Sequence, residues 1–161
     1  LPLSGAGCII LDISMPGMSG PQLHAWMREH ELDWPVIYLT GRCDVPTSVQ
    51  AMKSGALDVL QKPAEADDLL DAVSAAVDKH RVDQLRRDAR VSLLVRLQSL
   101  SPREREVMDR VATGRLNKQI ALDLGIAEKT VKVHRGRSMA KMQVRSVAQL
   151  VHLLDQLDSP H

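Results

Sequence analysis

The sequence predicts an α/β unit with three parallel strands, followed by an all-helical unit, with a long helix joining the two. Three observations support this prediction. Short apolar segments alternate with helical periodicity through residues 1–80. Neither glycine nor proline occurs between Ala64 and Ser101. The remaining residues carry only helix signals.

The first unit contains three predicted strands separated by two predicted helices. The apolar segments that indicate strands are Cys8–Leu11, Val36–Thr40 and Ala56–Gln61. The first helix is predicted over Gly20–His30. The second begins near Asp44 and Pro46, which suit an N-cap and an early helical position, and it ends before Gly55. Because a helix follows each of the first two strands, we expect parallel strands with right-handed crossovers.

The stretch from Ala64 to Ser101 is predicted to form one long helix, bent near His80–Asp83. It closes the first unit and continues as a linker. The alternative is two helices with a short break. The resulting organisation has a first domain over 1–80, a helical linker over 81–98 and a second domain over 99–161.

The second domain begins with a capping signal, Ser101 followed by Pro102 and Glu104. This helix ends at Gly114, and further helices are predicted over about 117–124, 128–142 and 146–157. Small, turn-forming and β-branched residues, Ala121, Gly125 and Val131, stand at relative positions 0, 4 and 10. This spacing is typical of helix-turn-helix units, although other helical hairpins share it.

Charge is distributed unevenly along the chain. Residues 1–80 contain 5 Lys and Arg against 11 Asp and Glu, whereas residues 81–161 contain 16 against 9. The basic half therefore suggests a polyanionic partner. It contains no aromatic residue, which disfavours readers of RNA or single strands that stack on bases.

The composition also bears on where the protein works. No apolar run approaches the ~18 residues of a membrane span, and no signal peptide is visible. Cys8 and Cys43 have no metal-ligand spacing and are expected to be reduced thiols. We therefore expect a cytoplasmic protein with no membrane partner.

Three polar residues stand where the predicted strands end: Asp12, Thr40 and Lys62. In a parallel sheet the carboxyl ends of the strands meet at one edge, where such sheets bind ligands. A carboxylate can act as the nucleophile in aspartyl-phosphate chemistry, and a hydroxyl and an ammonium can hydrogen-bond the phosphoryl oxygens. Each residue alone is a weak signal, but together they predict a phosphoryl-transfer site.

The segments DISMPGMSG, LTGRCD and GALDVLQKP resemble the receiver domains of two-component response regulators. The separations of 28 residues from Asp12 to Thr40 and 22 from Thr40 to Lys62 also match that family. The resemblance implies a flavodoxin-like fold, with Asp12 as phospho-acceptor, Thr40 as switch hydroxyl and Lys62 as phosphate-pairing cation. It further implies a cis Lys62–Pro63 bond. Ser14 and Arg42 would tune the phosphoryl lifetime, and small Gly41 would leave the phosphoryl accessible.

The sequence departs from the receiver pattern in two ways. Val59 stands where the family has an aromatic residue that couples to the switch threonine. The acidic pair that binds Mg²⁺ in the family, with the strand, helix and strand that open its fold, would precede Cys8. We therefore expect Mg²⁺ in the intact protein, but only an incomplete site at Asp12 in this chain, which is expected neither to bind Mg²⁺ well nor to be phosphorylated. We also expect the edge of the first strand, or the opened face of the first unit, to pair between two chains.

The segment from LSPREREVMDR to TVKVHRGRSMAKM resembles the LuxR-type DNA-binding domain, closest to the FixJ/NarL branch. Its recognition helix would be Glu128–Met142, with Lys132, Val133 and Gly136 exposed and Val131 inward. Lys132 would contact guanine or phosphate, and Val133 a thymine methyl. Further phosphate or groove candidates are Asn117, Lys118, Thr130, His134, Arg135, Arg137 and Lys141.

Three residues differ from the common LuxR-type sequence. Leu116 and Ala127 replace serines that would cap helices, and each loss costs on the order of 1 kcal/mol. Asn117 is a candidate for replacing the first cap. Gly136 stands where some relatives place a base-reading lysine, so DNA shape is expected to carry part of the specificity.

The resemblance implies a DNA-binding transcriptional response regulator, not an enzyme. A partner histidine kinase would phosphorylate Asp12 in the intact protein, and a homodimer would bind a two-fold site on double-stranded DNA. The dimer surface would combine the 46–54 helix, the third strand and the 66–80 helix. The alternative is a constitutive DNA-binding regulator whose receiver serves only as a dimerisation or interaction module.

Overall fold

The computed structural model of the chain describes residues 5–41 and 45–158, and its elements follow the predicted order. The strands are β1 (Ile9–Asp12), β2 (Val36–Thr40) and β3 (Asp58–Gln61). The helices are α1 (Gly20–Glu29), α2 (Val45–Lys53), α3 (Ala66–Gln98), α4 (Pro102–Ala112), α5 (Asn117–Leu124), α6 (Glu128–Lys141) and α7 (Val147–Asp158). The predictions for Arg42, Cys43 and Asp44 lie outside the described residues. The chain divides into two compact units, 1–86 and 87–161.

The first unit is built on a parallel sheet with the order β1-β2-β3, which confirms the predicted strands and their direction. The central strand β2 is the most buried, and Val36, Ile37 and Tyr38 are fully enclosed. One face of the sheet packs against α1 and α2 through a cluster that includes Met27 and Ala51. The other face packs against α3. The three strands therefore end at one edge, flanked by helices on both faces.

Helix α3 is continuous from Ala66 to Gln98, which confirms the single long helix rather than two shorter ones. Its first half belongs to the first unit, where Ala72 and Ala76 pack against Ile37 of the sheet. Its last turns belong to the second unit, where Leu93 and Leu97 are part of the core. The predicted linker thus contributes side chains to the core of the helical unit.

The helical unit encloses a core of aliphatic residues and methionines, with Val107, Ile120, Val131 and Leu150 fully buried. Helix α4 begins with the predicted capping box, in which Ser101 Oγ accepts from the Glu104 backbone N–H and the Glu104 carboxylate accepts from the Ser101 N–H.

The peptide bond between Lys62 and Pro63 in the first unit is cis, as the resemblance implied.

Helices α5 and α6 begin without a side-chain cap from their N-cap residues, Leu116 and Ala127, as expected. The expectation that Asn117 replaces the first cap is wrong. Asn117 is the first helical residue, and its side-chain carbonyl instead accepts from Arg135, 2.8 Å away. Gln119 compensates in part, because its side-chain oxygen accepts from the Leu116 N–H at 2.9 Å.

None of the described helices combines the length and the apolar composition that crossing a bilayer requires. This includes α3, which is the longest of them and carries many charged residues.

Candidate functional site

The strand-end cluster of the first unit brings Asp12 and Lys62 into direct contact. The Lys62 ammonium lies 2.5 Å from Asp12 Oδ2, across two strand ends. The Ser14 backbone N–H donates to Asp12 Oδ1 at 3.1 Å. Thr40 ends β2, is buried, and accepts the Lys62 backbone N–H through its own carbonyl at 2.8 Å. The three predicted residues therefore share one edge of the sheet.

Both side chains of the Asp12–Lys62 pair remain open to solvent, at 33% and 43% exposure. The hydrogen bond from Lys62 and the one from the Ser14 backbone lower the pKa of the Asp12 carboxyl. The carboxylate is therefore ionised at neutral pH, which is the form that can act as a nucleophile. An exposed carboxylate beside an ammonium is a suitable acceptor for a phosphoryl group, since the cation can offset the added charge.

The donor set at Asp12 can be compared with what Mg²⁺ requires. Among the described residues, no group of three or more His, Cys, Asp or Glu side chains could hold a metal ion. Both oxygens of Asp12 already accept hydrogen bonds, from Lys62 and Ser14. Mg²⁺ demands six oxygen ligands in near-octahedral geometry. The described residues therefore do not fit a complete magnesium site.

Gly20 supports Asp12 in a way that the sequence analysis missed. A Cβ at this position would lie 2.4 Å from the Asp12 carbonyl oxygen and 3.2 Å from the Tyr38 ring. Gly20 is also the first residue of α1, directly after the Ser19 capping box. A side chain here would push α1 away from the end of β1. The sequence signal for this close approach is the helix start SGPQ, which follows Asp12 by only a few residues.

A buried polar pair beneath the site was also missed. Tyr38 is fully enclosed, and its hydroxyl lies 3.0 Å from Nδ1 of His24 on α1. Burial, and secondarily the charge of Arg28, lower the pKa of His24. Tyr38 pairs across the strands with Val59, the position that lacks the expected aromatic residue. The aromatic side chain in this layer therefore comes from β2, and α1 holds it in place.

The second candidate site is a helix-turn-helix formed by α5, the turn at Gly125 and α6. Ala121 and Val131 are buried between the helices. Gly125 adopts a left-handed conformation, with φ of 63°, and its N–H bonds to carbonyls at the end of α5. These are the roles that the 0, 4, 10 spacing predicts. One face of α6 remains exposed to solvent in this arrangement.

The exposed face of α6 carries Lys132, Val133 and Gly136, as the register predicted. Val133 is 44% exposed, and a side chain at Gly136 would meet nothing within 4 Å. Lys132 forms a solvent-exposed ion pair with Glu128, at 3.4 Å. Lys129 is exposed on the same face, and the sequence analysis missed it. Its spacing, one turn before Lys132 and Val133, is the signal that would have identified it.

The other candidate DNA contacts differ in their burial and in their bonds within the unit. Lys118, Thr130 and Arg137 are exposed. Arg135 is half-buried and donates to Asn117, which links the middle of α6 to the first residue of α5. His134 is half-buried, and its Nδ1 has no hydrogen-bond partner among the described residues. Lys141 bonds within the unit, to the Glu104 carboxylate at 2.6 Å and the Ser99 carbonyl at 2.8 Å.

Family comparisons match both units of the chain. Residues 2–74 match the response regulator receiver domain, and residues 98–154 match the bacterial regulatory proteins of the luxR family. The two matches coincide with the strand-end cluster and with the helix-turn-helix.

Several characterised proteins are similar over nearly the whole chain. Nodulation protein W of Bradyrhizobium diazoefficiens is 44% identical over 93% of the chain, which spans 66% of that protein. The C4-dicarboxylate transport transcriptional regulatory protein DctR of Rhodobacter capsulatus is 46% identical over 94% of the chain and 78% of its own length. The solved structure of the response regulator StyR has a TM-score of 0.85 at 41% identity, covering 95% of this chain and 77% of that one.

Proposed function

We propose, since this chain belongs to the response regulators that join a receiver domain to a LuxR-type DNA-binding domain, that it regulates transcription by binding double-stranded DNA. The observation that carries the proposal is the exposed face of α6, on which Lys129, Lys132 and Val133 are open to solvent. An α-helix fits the major groove, where a lysine can bond guanine and a valine can meet a thymine methyl.

The surrounding basic residues would position the helix on the DNA. We propose that Lys118, Thr130, His134, Arg135 and Arg137 contact phosphates or the groove rim. Asn117 would act through Arg135, whose guanidinium it holds. A homodimer would place two such units on a two-fold site, and we propose the face of α2, β3 and the first turns of α3 as the dimer surface. The proposed domain limits are 1–80, 81–98 and 99–161.

In the receiver unit we propose Asp12 as the phospho-acceptor of the intact protein. An Asp12 oxygen would attack the phosphorus of a phosphohistidine on a partner histidine kinase. The new P–O bond forms as the P–N bond breaks, and the imidazole nitrogen keeps the electron pair and takes up a proton. Lys62 would then move from the carboxylate to a phosphoryl oxygen, with Thr40 as the second donor.

The metal requirement bears on how readily this step occurs. Mg²⁺ would supply further charge neutralisation in the intact protein, and Asp12 is the one described residue that we assign to it. We expect acetyl phosphate not to label Asp12 of the 161-residue chain. Labelling, detected as a mass increase lost in Asp12→Asn, would contradict that expectation. We further propose a cytoplasmic location and no catalytic turnover on other substrates.

DNA binding can be tested with the chain as it stands. Fluorescence anisotropy would compare labelled double-stranded DNA, single-stranded DNA and RNA over a range of salt concentrations. We expect the duplex to bind most tightly, with affinity falling steeply as salt rises. Lys132→Gln and Lys129→Gln should each weaken binding and reduce the salt slope by about 0.9. Equal binding of all three nucleic acids, or none, would contradict the proposal.

A second candidate function is a constitutive DNA-binding regulator whose receiver unit serves only for interaction. The observation that favours it is Val59, which faces Tyr38 across the sheet while the Tyr38 hydroxyl is tied to His24. The Tyr38 ring is therefore held by α1, and it cannot replace the aromatic residue whose movement couples to the switch threonine in the family. This candidate predicts that a phosphodonor leaves the DNA affinity of the intact protein unchanged, whereas the leading proposal predicts tighter binding.

A further inference from the structure

The C-terminal end of the recognition helix is tied to the start of α4 by a largely buried ionic contact. Lys141 is the last residue of α6, and its ammonium lies 2.6 Å from Glu104 Oε2. The same ammonium donates to the Ser99 carbonyl at 2.8 Å, just beyond the end of α3. One cation therefore connects three helices of the unit.

The buried Glu104 carboxylate depends on the Lys141 ammonium for its stability. Its side chain is 5% exposed, while that of Lys141 is 39% exposed. The hydrogen bond from Lys141, followed by that from the Ser101 backbone, lowers the pKa of Glu104. A carboxylate removed from water needs its cation, because an unpaired buried charge is strongly unfavourable. If Lys141 moved to a DNA phosphate, Glu104 would lose its principal partner.

The position of Lys141 on α6 supports the same conclusion. Lys141 follows Lys132 by nine residues, which is about two and a half helical turns. It therefore lies half a turn from Lys132 around the helix axis, and it follows the buried Ser138 by three residues, beside the face that packs on the core. A second bond secures this end of α6, since the Arg96 guanidinium donates to the Met142 carbonyl at 3.4 Å. The end of α3 and the end of α6 are thus linked directly.

We propose that Glu104 and Lys141 are positioning residues for DNA binding: the pair holds the end of the recognition helix against α4, and Lys141 is not a phosphate contact. The inference rests on the proposed DNA-binding function and deepens it. Glu104 would promote DNA binding, although its charge has the wrong sign to attract DNA. A phosphate-contacting Lys141 predicts the opposite, because removing the competing carboxylate would release the lysine toward the DNA.

The test uses the full chain with fluorescein-labelled mixed-sequence double-stranded DNA, at temperatures where circular dichroism shows every variant folded. We expect Glu104→Gln and Lys141→Gln to weaken binding by similar factors of about three to ten, with the double variant no weaker than either. The salt slope should stay at the wild-type value. Lys141→Arg should restore most of the affinity, because arginine can still bond both partners.

Arg137→Gln is the matched control, since Arg137 is exposed on α6 and its loss should reduce the salt slope by about 0.9. The inference is overturned if Lys141→Gln reduces the slope by the same amount, if Glu104→Gln tightens binding, or if folded variants bind as the wild type does. Failure of the wild-type chain to bind any duplex would instead overturn the proposed function, and this inference with it.

Discussion

Each half of the molecule holds a lysine against a carboxylate at nearly the same distance, and the two pairs differ in burial. Lys62 and Asp12 lie 2.5 Å apart with both side chains open to solvent. Lys141 and Glu104 lie 2.6 Å apart, with the carboxylate almost entirely enclosed. In both pairs the lysine lowers the pKa of the carboxyl. Similar contacts therefore occupy very different surroundings.

The difference teaches that burial, rather than distance, separates a reactive pair from a structural one. An exposed carboxylate can exchange its lysine for water or a phosphoryl group at small cost, because solvent replaces the lost contact. A buried carboxylate cannot, since nothing nearby takes the place of its cation. On this basis the first pair suits chemistry and the second suits holding helices in place.

The largest expected effect comes from replacing the lysine of each pair and comparing the resulting losses of stability. We expect Lys141→Met to lower the free energy of unfolding of the helical unit by about 2–3 kcal/mol, near the lower limit for a broken buried pair because the ammonium is partly exposed. Lys62→Met should change the stability of the first unit far less. Trp26 and Trp34, the only tryptophans of the chain, both lie in the first unit.

Tryptophan fluorescence in urea therefore reports on the first unit, and far-UV circular dichroism reports on both units. Comparing the two signals assigns each loss to a unit. Equal losses from the two lysine substitutions would refute the distinction based on burial. A larger loss from Lys62→Met would reverse the assignment of the structural pair.

Gly20→Ala tests whether backbone packing, instead of burial, positions the exposed pair. The new Cβ would lie 2.4 Å from the Asp12 carbonyl oxygen, so α1 or the end of β1 must move. We expect a loss of about 1–2 kcal/mol in the first unit, by tryptophan fluorescence in urea. Gly41→Ala is the matched control, because a Cβ there meets nothing within 4 Å. Similar losses in both variants would remove the special role of Gly20.

The stabilisation by the buried pair should depend on pH more strongly than that by the exposed pair. Because the folded-state pKa of Glu104 lies below its ordinary value, its contribution is present above the unfolded pKa and disappears as pH falls through the folded pKa. We expect the wild type to exceed Glu104→Gln by about 1 kcal/mol near neutral pH, and the gap to close in acid. Asp12→Asn should show the same sign with a smaller amplitude. A pH-independent gap for Glu104→Gln would contradict this assignment.

The sequence predicted the elements well because each carries a local signal. The parallel strands, the capping box at Ser101 and the turn at Gly125 follow from short-range patterns. The contacts of Asn117 and Lys141 did not follow, because each bonds a residue far along the chain. Spacing within one helix cannot show that a lysine at its end faces another helix.

The same reason explains what was missed in the first unit. Asp12 and Lys62 were brought together by a rule about parallel strands. No comparable rule connects His24 to Tyr38, whose contact depends on how α1 packs on β2. Gly20 was likewise overlooked, since its importance comes from an approach between backbones rather than from its own chemistry.

The pair Glu128 and Lys132 extends the comparison to the weakest case. It spans one turn of α6 at 3.4 Å, and both side chains are exposed, at 47% and 64%. Such pairs contribute about 0.3–0.5 kcal/mol, and an acidic residue in the first turn adds a similar helix-dipole contribution.

Glu128→Gln should therefore scarcely lower the melting temperature. It should tighten duplex binding about two- to threefold at low salt, because Lys132 loses a competing partner and the DNA a repelling charge. The gain should vanish at high salt, where exposed charges are screened. If affinity at low salt is unchanged while Lys132→Gln still weakens binding, the Glu128 contact has no influence on how Lys132 meets DNA.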